Sequence, residues 1–235
     1  MLLFLIVQIL CFSNLQNTNA VEYLEVTHRV IFTISIDSEI LGDLEIGLFG
    51  KEVPQTVNNF FTLATDGFEG KSYTGSKFHR VIKNSLVQGG DVVYGDGRGS
   101  TSIFGTVFPD ENFKVNFTMP GIVAMASRGA NTNGCQFFIA TSAAPWLDHK
   151  HVAFGKVLDG FSVLDKLASL DTNYKEVPLR TAIIQKSDGE KLKDTFEVAS
   201  DPNNLWDILK AVSIPVIMSG TVVGVLQWLS SQLKY

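Results

Sequence analysis

Between residues 29 and 49 apolar side chains fall on every second position, Val30, Phe32, Ile34 and Ile36, then Leu44, Ile46 and Leu48. A period of two sends successive side chains to opposite faces of an extended chain, so this stretch predicts two strands, each with one buried face. The break in the alternation at residues 37–42 makes them a hairpin. At Pro54 the period changes. Val57, Phe60, Phe61 and Ala64 stand at i, i+3, i+4 and i+7, with Pro54 in the first turn and Asp66-Gly67 at the end, which predicts one amphipathic helix. A second, shorter helix is expected around residues 162–170, where Val163, Leu164 and Leu167 share a face. Elsewhere short apolar runs alternate with glycines, so the fold predicted is mostly β, an antiparallel barrel or sandwich with few helices.

Both ends of the chain break this pattern. Residues 1–12 are almost wholly apolar but too short to span a bilayer, and a polar stretch follows in which Thr18 and Ala20 suit the small positions before a cleavage site. Residues 1–20 therefore read as a signal peptide, although the usual positive start is missing. Residues 211–229 carry no charge, and Trp206 and Trp228 sit near their ends. About nineteen residues at 1.5 Å each approach 30 Å, enough for one membrane span, assigned to 205–230 with a cytosolic tail at 231–235. Gly220 and Gly224 form a GxxxG within it, a weak signal for helix contact. The polar residues 189–204 read as a tether between a domain at 28–188 and the membrane.

Charge and cysteines narrow the classes. A net charge of −5 with scattered lysines and arginines gives no field for nucleic acid. Of the two cysteines, Cys11 lies in the segment expected to be removed, which leaves Cys135 unpaired and excludes an internal disulfide. No spacing of histidines and cysteines makes a metal site, and His149 and His151 lack a third ligand nearby. The glycines of 95–105 miss the phosphate-loop spacing and read as a β-loop, and no serine sits in a GxSxG elbow. Asn116-Phe117-Thr118 is a glycosylation sequon, with meaning only on an exposed lumenal segment. Residue types alone stop at an anchored, lumenal, β-rich domain.

Longer motifs go further. FHRVIKNSLVQGGD at 78–91, PGIVAMASRGANTNGCQFF at 120–138 and PWLDHKHVAFG at 145–155 resemble the cyclophilin family, as does LGDLEIGLFGKEVPQTVNNF at 41–60. The likeness covers residues 29–187 in order and spacing. It implies an eight-stranded antiparallel barrel closed by two helices, and peptidyl-prolyl cis/trans isomerase activity without metal or cofactor. The order of signal peptide, domain and C-terminal span, together with Arg128 and Cys135, resembles the insect photoreceptor type of cyclophilin, which escorts rhodopsin.

By that resemblance Arg80 is the catalytic residue. Leu86, Phe138 and Leu147 line the proline pocket with His151 beside it, Gln88 and Gln136 offer polar contacts, and Gly97 and Ala126 leave room for the peptide. Trp146 implies cyclosporin binding. His79 reads as a core histidine. Two departures stand out. Ser85 replaces a pocket phenylalanine, a loss of apolar contact worth about 1–3 kcal/mol. Ser127 and Arg128 replace the usual small polar residue and alanine beside Ala126, and Arg128 would either bring charge to the groove or point to solvent. The partners expected are proline-containing secretory or membrane proteins, met either as substrates of an isomerase in the endoplasmic reticulum or as clients of an escort chaperone with dispensable catalysis.

Overall fold

The structure, a computed structural model, describes residues 23–199. The strands β1 (Tyr23–Ile36), β2 (Glu39–Leu48), β3 (Lys77–Ile82), β4 (Leu86–Gly89), β5 (Ile122–Met125), β6 (Phe137–Ala140), β7 (Ala153–Asp159) and β8 (Ala182–Ala199) close into a barrel in the order β1-β2-β7-β5-β6-β4-β3-β8. Every pair is antiparallel. The hairpin expected near residue 40 turns more tightly than the break at residues 37–42 suggested. Asp37 and Ser38, with φ of 49° and 73°, make the two-residue connection, and Glu39 to Gly42 already belong to β2. Positive φ at both central residues matches the right-handed twist of the strands they join.

The alternation read from the sequence fills the barrel. Val30, Phe32, Ile34, Leu44, Ile46 and Leu48 are buried and join Val81, Val87, Val123 and Ile139 in one interior cluster. Helix α1 (Pro54–Ala64) adds Val57, Phe60, Leu63 and Ala64, and helix α2 (Phe161–Ala168) adds Val163, Leu164 and Leu167. Leu63, rather than the expected Phe61, completes the inner face of α1. Phe61 sits at the edge, half-buried, its ring 4.8 Å from that of His28. Phe60 is central, with ring centroids 5.0 Å from Tyr73, 5.2 Å from Phe137 and 4.7 Å from Phe154. Such tilted aromatic contacts add to the burial of each ring.

The tether assigned to 189–204 is overturned over its first eleven residues. Residues 189–199 continue β8, pairing Gly189 with Val30 and, beyond a bulge, Phe196 with Val26 and Ala199 with Tyr23. The barrel domain therefore reaches from Tyr23 to Ala199, past the expected limits of 28 and 188. A polar strand is hard to tell from a loop by composition: within 189–197 the only large apolar residues are Leu192 and Phe196, with Asp194 interrupting the period between them. Among the described residues no helix is long and apolar enough to cross a membrane. The segments read as signal peptide (1–20) and span (205–230) lie outside the described residues.

Candidate active site

The site is built on the outer face of four neighbouring strands. Register places Arg80 on β3 opposite Gln88 on β4, Gln88 opposite Phe138 on β6, and Phe138 opposite Ala124 on β5. Their neighbours in sequence, Val81, Val87, Ile139 and Val123, point into the barrel. Period two thus gives one row of residues to the core and the next to the surface.

Phe138 and Leu86 belong to a second apolar cluster outside the barrel, with Phe117 stacked on Phe138 at 5.7 Å and 16° between planes. Leu147, half-buried in a 3-10 turn at Pro145–Leu147, packs against the same cluster, and Trp146 beside it is 54% exposed. His151 stands edge-on to Phe138, centroids 5.2 Å apart. Its Nδ1 lies 3.1 Å from the Met125 carbonyl, which can only accept, so Nδ1 carries the proton and Nε2 is the free acceptor. Ser127 Oγ lies 3.4 Å from the same nitrogen. Burial lowers the pKa of His151, which favours the neutral ring. Ser85 follows the turn after β3: its N–H donates to Ile82 O (3.1 Å) and its carbonyl accepts from Thr141 N–H (2.8 Å). The apolar wall thus comes from Phe138, Leu86 and Leu147, and the serine adds little to it.

Polar side chains cross the groove as a chain. Arg80 Nη1 lies 3.4 Å from Gln88 Oε1, Gln88 Nε2 donates to Gln136 Oε1 (3.0 Å), and Gln136 Nε2 donates to the carbonyls of Gly97 (2.9 Å) and Gly99 (2.7 Å). Gln88, Gly97, Ala126, Ser127, Arg128 and Gln136 line one cavity of ≈ 200 Å³ beside this chain. Arg128 does not simply reach into solvent. Its Nη2 donates to Gly97 O (3.0 Å) and Arg98 O (2.8 Å), so the exposed guanidinium fastens the cavity rim to the 95–99 loop. Gly97 has a structural role of its own: at φ +88°, a Cβ there would sit 2.9 Å from the His79 ring, so the loop can lie on His79 only with glycine. His79 is buried, as a core histidine, and burial lowers its pKa.

That loop is organised by Asp91, which sequence reading passed over. The buried carboxylate accepts the N–H groups of Val93 (3.0 Å), Tyr94 (2.9 Å), Asp96 (3.3 Å), Gly97 (2.9 Å) and Gly99 (2.9 Å). Burial alone would raise its pKa, but these donors outweigh burial and hold it at about 2. With the folded pKa depressed, the stabilisation is complete above the unfolded pKa near 3.9 and is lost as pH falls through about 2. Asp91→Ala leaves those donors unpartnered and is expected to cost about 2–3 kcal/mol, read as a lower urea midpoint at pH 7. An unchanged midpoint would show that the loop finds other acceptors.

Glu176 was likewise missed. Its Oε2 accepts from Arg80 Nε and Nη2, both at 2.7 Å. No local pattern signals it, because it lies 96 residues from its partner. Asn116 is exposed in the irregular segment before β5, one residue from Phe117. Among the described residues no group of histidine, cysteine and acidic side chains could hold a metal ion.

Comparison with known proteins identifies the family. Residues 31–188 match the family described as cyclophilin type peptidyl-prolyl cis-trans isomerase. The chain is 39% identical over 209 residues to the rhodopsin-specific isozyme of peptidyl-prolyl cis-trans isomerase from Calliphora vicina, covering 89% of each protein. It is 46% identical over 163 residues to peptidyl-prolyl cis-trans isomerase D of Saccharomyces cerevisiae, covering 69% of this chain and 72% of the relative. The crystal structure of a Cryptosporidium parvum cyclophilin type isomerase superposes with a TM-score of 0.64 at 34% identity, covering 71% of this chain and 99% of that one.

Proposed function

Because the chain belongs to the cyclophilin family and is a peptidyl-prolyl cis-trans isomerase, we propose that Arg80 catalyses rotation about X-Pro bonds in client proteins held across the β3–β6 face. The barrier to that rotation is about 18–20 kcal/mol, because resonance gives the C–N bond partial double character. As the bond twists, resonance is lost and the imide nitrogen gains a lone pair absent from the planar ground state. A fixed cationic N–H aimed at that nitrogen binds the twisted form better than either planar one, which is what lowers a barrier. Phe138, Leu86 and Leu147 grip the proline ring, Trp146 and His151 border it, and Gln88 and Gln136 bind the flanking backbone. The observation that carries this reading is the row Arg80–Gln88–Phe138, which sets a cation beside an apolar wall.

Ser85 makes that grip weaker than a phenylalanine would. Ser85→Phe is expected to raise kcat/KM on a short proline peptide by about tenfold, since added apolar contact of about 1–3 kcal/mol acts on binding and transition state together. A variant no faster than wild type would mean that Leu86 and Phe138 already close the pocket. Arg128, fixed at the cavity rim, favours clients with an acidic residue near the proline. Exposed Trp146 supports cyclosporin binding, and exposed Asn116 is available for glycosylation.

We place the protein in the endoplasmic reticulum and secretory pathway, anchored by the 205–230 span with its barrel in the lumen, on the strength of the apolar pattern at both ends. A second reading is favoured by Ser85 and by likeness to a relative named as rhodopsin-specific. In it the groove escorts a membrane client and catalysis is dispensable. The two readings part on Arg80→Ala in cells. Loss of client maturation together with turnover supports catalysis, and maturation that survives the loss of turnover supports the escort.

A further inference from the structure

Arg80 is attached to its strand by a long, flexible side chain, and among the described residues only the 3.4 Å approach to Gln88 Oε1 orients it on the groove side. Behind it stands Glu176. One carboxylate oxygen takes Nε–H and Nη2–H together at 2.7 Å each. A guanidinium is planar, so holding two of its nitrogens fixes the direction of the third. That third nitrogen, Nη1, is the one beside Gln88. We propose that Glu176 is the positioning residue of the isomerase site, turning the Nη1 edge of Arg80 toward the reacting imide; the inference rests on Arg80 being the catalytic group.

The loop that carries Glu176 is built to hold it there. Glu176 has φ of 61°, a left-handed conformation uncommon for a residue with a side chain. Such a conformation persists only where the surroundings enforce it. Here Glu176 N–H donates to Asn173 O (3.0 Å), and Asn173 Oδ1 accepts from Lys175 N–H (2.8 Å) and Val177 N–H (3.2 Å). The Glu176 carbonyl accepts from Val81 N–H (2.8 Å), the residue next to Arg80 on β3. Loop and strand are therefore locked in register where the carboxylate meets the guanidinium. Backbone and side chain of Glu176 grip consecutive residues of the same strand.

The carboxylate has an opposing effect, since a negative charge weakens the field that Arg80 presents. Both partners are 43% exposed, so water screens that effect, while two short hydrogen bonds still set the orientation. Orientation therefore prevails. The variants separate these effects in the full chain, using a proline peptide at saturating and limiting concentrations. Glu176→Ala is expected to lower kcat about tenfold with KM within twofold, because a wandering guanidinium binds the ground state as before but seldom meets the twisted one. Glu176→Gln keeps an oxygen acceptor at the same reach and should retain kcat within about threefold. Glu176→Asp keeps the charge but withdraws it, and should fall with Ala. This ordering, Gln above Asp, is one that a merely stabilising residue would not give. The inference is overturned if Glu176→Ala matches or exceeds wild type, or if Asp rescues and Gln does not, which would make the charge the active feature. Wild-type turnover that does not depend on Arg80 would sink the assignment of Arg80 itself, a separate outcome.

Discussion

Arg80→Ala is expected to lower isomerase turnover by about two to three orders of magnitude while leaving peptide binding and the unfolding midpoint close to wild type. Removing one well-aimed donor at a developing charge costs about this much in other enzymes, and each factor of ten is about 1.4 kcal/mol of transition-state preference. The fold should tolerate the change. Arg80 lies on the outer face of β3 with its guanidinium half-exposed, and exposed ion pairs such as Arg80–Glu176 contribute only about 0–1 kcal/mol. Peptide binding should persist because Phe138, Leu86 and Leu147, the proposed proline wall, lie in or against a separate apolar cluster. Turnover by single-turnover exchange and peptide affinity by titration check the two halves. A parallel fall in affinity would place Arg80 in ground-state binding instead.

Ending the barrel at Asp188 is expected to destabilise it by about 3–5 kcal/mol. Residues 189–199 pair with the first half of β1, and Leu192 and Val198 pack on the cluster that contains Leu24 and Val26. Leu24 and Val26 are 2% and 0% exposed. Uncovering two such side chains costs about 1.5–3 kcal/mol each, offset in part by relaxation of the freed strand. For a domain of this size the thermal midpoint should fall by roughly 10–15 °C. Unfolding of a chain ending at 188 beside one ending at 201 checks this. Equal midpoints would mean that the β1–β8 ribbon is an appendage and the barrel is complete without it.

These two outcomes bear on how far the sequence could be read. Alternation over Val30–Ile36 and again over Leu44–Leu48 announced paired strands, because burying one face of a sheet demands it. Pro54 with the 3-4 spacing announced α1 for a similar reason. Phe61 packs at the rim of the inner face and Leu63 at its centre, because spacing alone cannot tell which side of a helix edge faces the barrel most directly. Residues 189–199 were read as a tether because a ribbon solvated on its outer face needs no apolar period. The groove residues were legible only through the resemblance, which supplies positions but not the contacts between them. Arg128 bonding to Gly97 and Arg98 and Glu176 gripping Arg80 join residues distant in sequence. No window along the chain contains such pairs.

The most direct test of the account is NMR exchange on a short X-Pro peptide, measuring cis/trans interconversion with and without catalytic amounts of the full chain. The account predicts interconversion faster than in solvent, rising in proportion to protein. Peptide resonances that shift on binding while the exchange rate stays at the solvent value would contradict it, leaving a groove that holds proline without turning it.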